Sequence, residues 1–102
     1  ILPKIDSRAN PSPYAFPVTL KEGINRRELV QHLEAHQIET RLVFGGNILK
    51  QPGFMNIERR VHGTLEESDA IMNRTLFTGV FPGLTDEMID YVIEQFTVFL
   101  KK

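Results

Sequence analysis

Hydrophobic positions along the 102 residues switch between a spacing of two and a spacing of three to four, the repeats of strand and helix respectively. Tyr14 to Leu20 has strand composition, and Pro17, which has no amide hydrogen, suits an edge strand or a bulge. Asn25 with Glu28 forms a capping box ahead of Leu29, Val30 and Leu33, predicting a helix over 26–36. Ile38, Thr40, Leu42 and Phe44 alternate with Glu39, Arg41 and Val43 as a second strand would. The stretch from Gly45 to Gly53 is punctuated at both ends by Gly or Pro, which predicts a loop holding one helical turn. Ser68 is placed to cap a helix over 69–76 with Ile71, Met72 and Leu76 inward, followed by a third strand over 77–81. Thr85, with Asp86 and Glu87 behind it, opens a last helix. Its stripe of Met88, Ile89, Val92, Ile93, Phe96, Phe99 and Leu100 ends beside Lys101 and Lys102.

The order strand, helix, strand, loop, helix, strand, helix predicts an α/β domain of two layers, a small sheet with helices over one face. Pro3, Pro11 and Pro13 mark residues 1–13 as a linker or strap, leaving 14–102 as the domain. The chain begins at Ile1, which predicts a piece of a longer polypeptide.

Composition narrows the function. Twelve basic and 13 acidic side chains leave a net charge of -1, which argues against general binding of nucleic acid or an anionic membrane. No apolar run approaches the length of a membrane span, and the absence of cysteine removes disulfides, cysteine-ligated zinc and iron–sulfur clusters from this segment. The balance is uneven. Residues 41–62 hold Arg41, Lys50, Arg59 and Arg60 against Glu58 alone, a net of +3, whereas 63–102 carries a net of -4. The cationic segment contains the glycine loop, and successive amides in such a turn make a concavity suited to phosphate. A plain turn has the same composition. His32 and His36, four apart, lack a third metal ligand and read as solvated surface; His62 reads as a loop hydrogen-bonder. Glu66, Glu67 and Asp69 read as a helix N-terminal acidic cluster, and Phe77, Phe81, Phe96 and Phe99 as core. No complete catalytic constellation is present.

The run Thr40-Arg41-Leu42-Val43-Phe44-Gly45-Gly46-Asn47-Ile48-Leu49-Lys50-Gln51-Pro52 resembles the C-terminal part of the DegT-type family of sugar-nucleotide aminotransferases and dehydratases. Phe16 to Leu20, Asp69 to Thr75 and Gly79 to Met88 agree with it. Within that family the chain looks most like the branch of CDP-4-dehydro-6-deoxyglucose 3-dehydratases of lipopolysaccharide biosynthesis. Tyr14-Ala15 and Lys50 depart from the pattern: Trp or Phe before a small residue is expected at the first and Arg is common at the second, so the bidentate fork is lost there.

The resemblance implies a cytoplasmic, homodimeric enzyme of which this chain is the small C-terminal domain, inactive alone. The large domain would hold pyridoxamine or pyridoxal phosphate, the catalytic base and any 2Fe–2S cluster. The reaction implied is loss of the 3-hydroxyl from a 4-keto-6-deoxy sugar linked to CDP or another nucleotide, with electrons from a separate reductase. Family position and local charge together assign Arg41 and Lys50 to the nucleotide diphosphate. Asn47 and Gln51 go to sugar hydroxyls or the loop backbone, and Phe44 to an apolar lid. An aminotransferase of the same family, or a free-standing small-molecule-binding regulatory domain, are the alternatives. A truncated domain is expected to expose an apolar patch on the 14–20 strand side and around Phe44.

Overall fold

In the computed structural model, which describes residues 1–101, three strands form one antiparallel sheet. They are β1 (Ala15–Thr19), β2 (Thr40–Leu42) and β3 (Thr75–Gly79), in the order β1-β3-β2. Three α-helices join them: α1 (Arg26–Ala35), α2 (Glu66–Arg74) and α3 (Asp86–Leu100). The expected two-layer architecture is present. Lys102, placed by its sequence at the end of the last helix and of the domain, lies outside the described residues. Among the described residues no helix is long and apolar enough to cross a membrane.

Strand β3 is central, and register explains the two faces of the sheet. Phe16 pairs with Thr78 and Val18 with Leu76, while Thr40 and Leu42 pair with Thr78 and Leu76 from the other side. Successive side chains alternate, so this set faces one way, and α1 lies against it. Leu20, Leu29, Leu33, Ile38 and Leu76 form the buried centre, with Val18, Val92, Phe96 and Phe99 packed around it. Pro17 sits on the edge strand β1, where its missing donor costs no ladder bond.

The caps behave largely as their chemistry dictates. Asn25 Oδ1 accepts from the amides of Arg27 and Glu28. Glu28 reaches back to the Asn25 side-chain amide at 2.8 Å rather than to its backbone. Thr85 accepts from the Met88 amide.

Several expectations need correction. The second helix starts at Glu66 rather than under Ser68, because Leu65 turns the chain at φ 58. It ends two residues early because Thr75 goes extended to pair with Thr19, their hydroxyls 2.9 Å apart. The third strand is therefore 75–79, and Phe81 falls outside it, 58% exposed rather than core. The second strand stops at Leu42 because Phe44 donates its amide back to the Leu42 carbonyl at 2.8 Å. The last helix turns only Val92, Gln95, Phe96 and Phe99 inward, leaving Met88, Ile89, Ile93 and Leu100 exposed. His32 and His36 are half-buried rather than solvated. Their rings lie 4.3 Å apart, with Phe99 5.7 Å from His32.

Candidate functional site

The five residues assigned from sequence separate into two groups. The first is on the face of the sheet opposite the core. Arg41 is the cross-strand partner of Phe77, and such partners share a face about 5 Å apart. The rings of Tyr14 and Phe44 each lie 6.3 Å from Phe77, Tyr14 edge-on. Arg41 forms an ion pair with Glu39 and donates to the Thr40 carbonyl. Its charge also contributes to holding the Glu34 carboxyl below the usual range, behind the larger effect of the Thr40 amide and hydroxyl bonds.

Phe44 is the strained member. Its φ is 39, rare for a bulky residue, and the residue is 80% exposed. Hydrophobicity alone would turn that ring inward. The turn instead holds it out beside Phe77, and such outliers gather at ligand clamps and active sites. Tyr14, 67% exposed, adds to this apolar face, on the side expected of a truncated domain.

The second group is the loop. Asn47 is buried and caps a 3-10 turn over Ile48–Lys50, accepting from the Leu49 amide at 3.1 Å. Its amide donates to Asp69 Oδ1 at 2.8 Å, and Lys50 Nζ donates to Asp69 Oδ2 at the same distance. Gln51 Nε2 donates to the Gly45 carbonyl at 2.6 Å. Asn47 and Gln51 thus bond the loop itself, while Lys50 remains at the surface, half-exposed and paired. Between the bend and α2 lies an open concavity of about 230 Å³ lined by Val43, Phe44, Gly45, Gly46, Ser68 and Ile71. Arg59, further along, donates to the carbonyls of Phe54, Met55 and Ile57 and braces the exposed segment that follows.

Asp69 is the residue the sequence reading missed. In sequence it belongs with Glu66 and Glu67 at a helix start. The structure makes it the anchor of a loop 19 residues upstream, a contact without a local signal. Lys50 foremost, then Asn47, hold its carboxyl below the usual range. A lowered folded-state pKa means stability that is fully present above the unfolded value, about 3.9, and lost as pH falls through the folded one. Exchange of the Leu49 amide is therefore expected to accelerate as pH falls below about 4, after correction for intrinsic rates. In Asp69→Asn that pH dependence is expected to disappear. An unchanged profile in the variant would assign the loosening to another group.

Residues 2–97 match the DegT/DnrJ/EryC1/StrS aminotransferase family, and the chain belongs to it. Over 100 residues it is 48% identical to the lipopolysaccharide biosynthesis protein RfbH of Salmonella typhimurium, covering 96% of this chain and 23% of that protein. It is 41% identical over 104 residues to the dTDP-4-dehydro-2,6-dideoxy-D-glucose 3-dehydratase of Saccharopolyspora spinosa, covering 100% of this chain and 22% of that protein. Among solved structures, the E. coli GDP-4-keto-6-deoxy-D-mannose-3-dehydratase with bound hydrated PLP superposes with a TM-score of 0.73. The identity there is 27%, over 79% of this chain and 22% of that one. The chain thus spans under a quarter of the length of these relatives.

Proposed function

We propose that the chain is the C-terminal domain of a sugar-nucleotide 3-dehydratase and forms one wall of its substrate site. The observation that carries this reading is the exposed Phe44 ring, held at a strained φ beside Phe77 and on the same face as Arg41. A self-contained domain would gain by turning such a ring inward. The likeness to RfbH and to dehydratases acting on dTDP- and GDP-linked sugars supports the chemistry. Diphosphate and deoxysugar are what those two nucleotide sugars share, so the chain's own residues address those parts.

In this reading Arg41 offers the diphosphate a planar two-donor fork and Lys50 a second positive charge. Phe44 covers the sugar and excludes water. Asn47 and Gln51 act through the loop, fixing where Lys50 stands. The family's pyridoxal or pyridoxamine phosphate would supply the electron sink for removing the hydroxyl. Its ring and phosphate do not fit this chain's own residues. Among the described residues no lysine is buried, and the concavity beside the bend is lined by no charged side chain that could meet a pyridinium. In this reading the cofactor, the catalytic base and any iron–sulfur cluster are carried by a larger domain, and the whole enzyme is a homodimer served by a reductase.

The test uses the full-length enzyme. Arg41→Ala and Lys50→Ala are each expected to raise KM for the nucleotide sugar about tenfold with little change in kcat, as loss of binding shared by ground and transition states does. Asp69→Asn, which loosens the loop but keeps the cation, is expected to move KM less than Lys50→Ala. Unchanged KM in both alanine variants would exclude the diphosphate role.

A further inference from the structure

We propose that a second surface, on the face of the sheet opposite Phe77, is the seat of an amphipathic α-helix whose apolar stripe is bordered by Lys and Arg. The N-terminal half of α3 stands away from the sheet. The groove between them, about 1490 Å³, has Phe16, Ile38, Val80, Phe81, Ile89 and Ile93 among its lining residues. Phe81 and Ile93 are more than half exposed, and Phe16 and Ile89 more than two-fifths. Ile89 and Ile93 stand one turn apart on α3, beside the Val92–Phe96 stripe that packs inward. An inward stripe thus continues into an outward one, which leaves α3 apolar over a wider arc than the core covers.

Charge identifies the occupant. Glu87, Asp90 and Glu94 recur at i, i+3 and i+7 along α3 and all line the groove. None of the three enters an ion pair among the described residues, and no Lys, Arg or His is among the lining residues. Glu39, at the sheet side, is the one lining carboxylate already paired, with Arg41. An apolar floor with a single-sign rim selects a partner of opposite sign and disfavours an acidic one. Size agrees with a helix: a cylinder about 10 Å across rising 1.5 Å per residue sweeps roughly 120 Å³ per residue, so the groove holds about three turns.

A second copy of this chain is a poor occupant. Leu29 and Leu33, the apolar stripe of α1, are in the core. α2 carries Glu66, Glu67 and Asp69, and α3 is itself acidic. None of the three helices offers an exposed apolar stripe with cationic borders.

The experiment is an NMR titration of the 102-residue chain with two synthetic helical peptides about three turns long. They share one leucine stripe; one is bordered by Lys, the other by Glu. The Lys peptide is expected to shift the amides of Phe16, Ile38 and Glu87 to Glu94, and the Glu peptide to leave them in place. The double reversal Glu87→Lys with Glu94→Lys, at two exposed positions, is expected to weaken the Lys peptide roughly tenfold or more and to admit the Glu peptide. Equal binding of both peptides, shifts mapping elsewhere, or a preference unmoved by the reversal would overturn the proposal. So would concentration-dependent shifts of these amides without peptide, matched by dimer formation in sedimentation, since the occupant would then be a second copy.

Discussion

Leu76→Ala is expected to cost about 3 kcal/mol of folding stability, within the usual range for deleting a buried leucine. Leu76 is fully buried on the central strand. It is register partner to Val18 on one side and Leu42 on the other, and belongs to the same cluster as Leu29 and Leu33 of α1. Few other groups can close the gap. Among the described residues the buried apolar centre contains only Leu20, Leu29, Leu33, Ile38 and Leu76, and β3 is held on both edges by its ladders. A domain of this size has about 5–15 kcal/mol in all, so the substitution removes a large fraction of it. Urea unfolding followed by circular dichroism checks this through the midpoint at unchanged m-value. A loss below about 1 kcal/mol, the scale of an ordinary surface change, would mean that the centre of the fold lies elsewhere.

The fold was legible where local chemistry decides it. Asn25 and Thr85 cap the helices they were expected to cap, and Pro17 marks an edge strand as its missing donor requires. What was illegible depends on partners distant in sequence. Thr75 leaves the helix because Thr19 is there to pair with. Asp69 is an anchor because Lys50 and Asn47 reach it. The last helix looks like one broad apolar stripe, yet only the side meeting α1 is covered. Periodicity records how much apolar surface a helix carries, not which part of it this domain covers. At the candidate site the residue types and their charge were readable. Their division was not: Arg41 and Phe44 meet at Phe77 because strand register places Arg41 opposite it, while the loop residues converge on Asp69.

Gly46 determines whether the bend can present Phe44 and Lys50 at all. Its φ is +58, and a Cβ there would stand 2.4 Å from Met72 Cγ and 2.6 Å from Met72 Cβ. The second of these atoms is fixed to the backbone of α2, so rotating the methionine side chain does not relieve the overlap. Gly46→Ala therefore combines a left-handed conformation costing about 1–2 kcal/mol with overpacking of about 1–3 kcal/mol. The α2 side is held in turn, since Arg26 donates to the carbonyls of Met72 and Thr75. The bend is therefore the part expected to yield. The neighbouring glycine is the control: a Cβ at Gly45 meets only Gln51 Cγ, at 4.0 Å, and its φ is not in the left-handed region. Gly45→Ala is thus expected to lie within about 0.5 kcal/mol of the parent, whereas Gly46→Ala loses about 2–5 kcal/mol. In the full-length enzyme the same pair separates binding from folding. If the bend faces the nucleotide sugar, Gly46→Ala raises KM even at temperatures where the protein remains folded, and Gly45→Ala leaves it unchanged. Equal KM values for the two variants, with the stability difference intact, would make the bend a structural element that the substrate never meets.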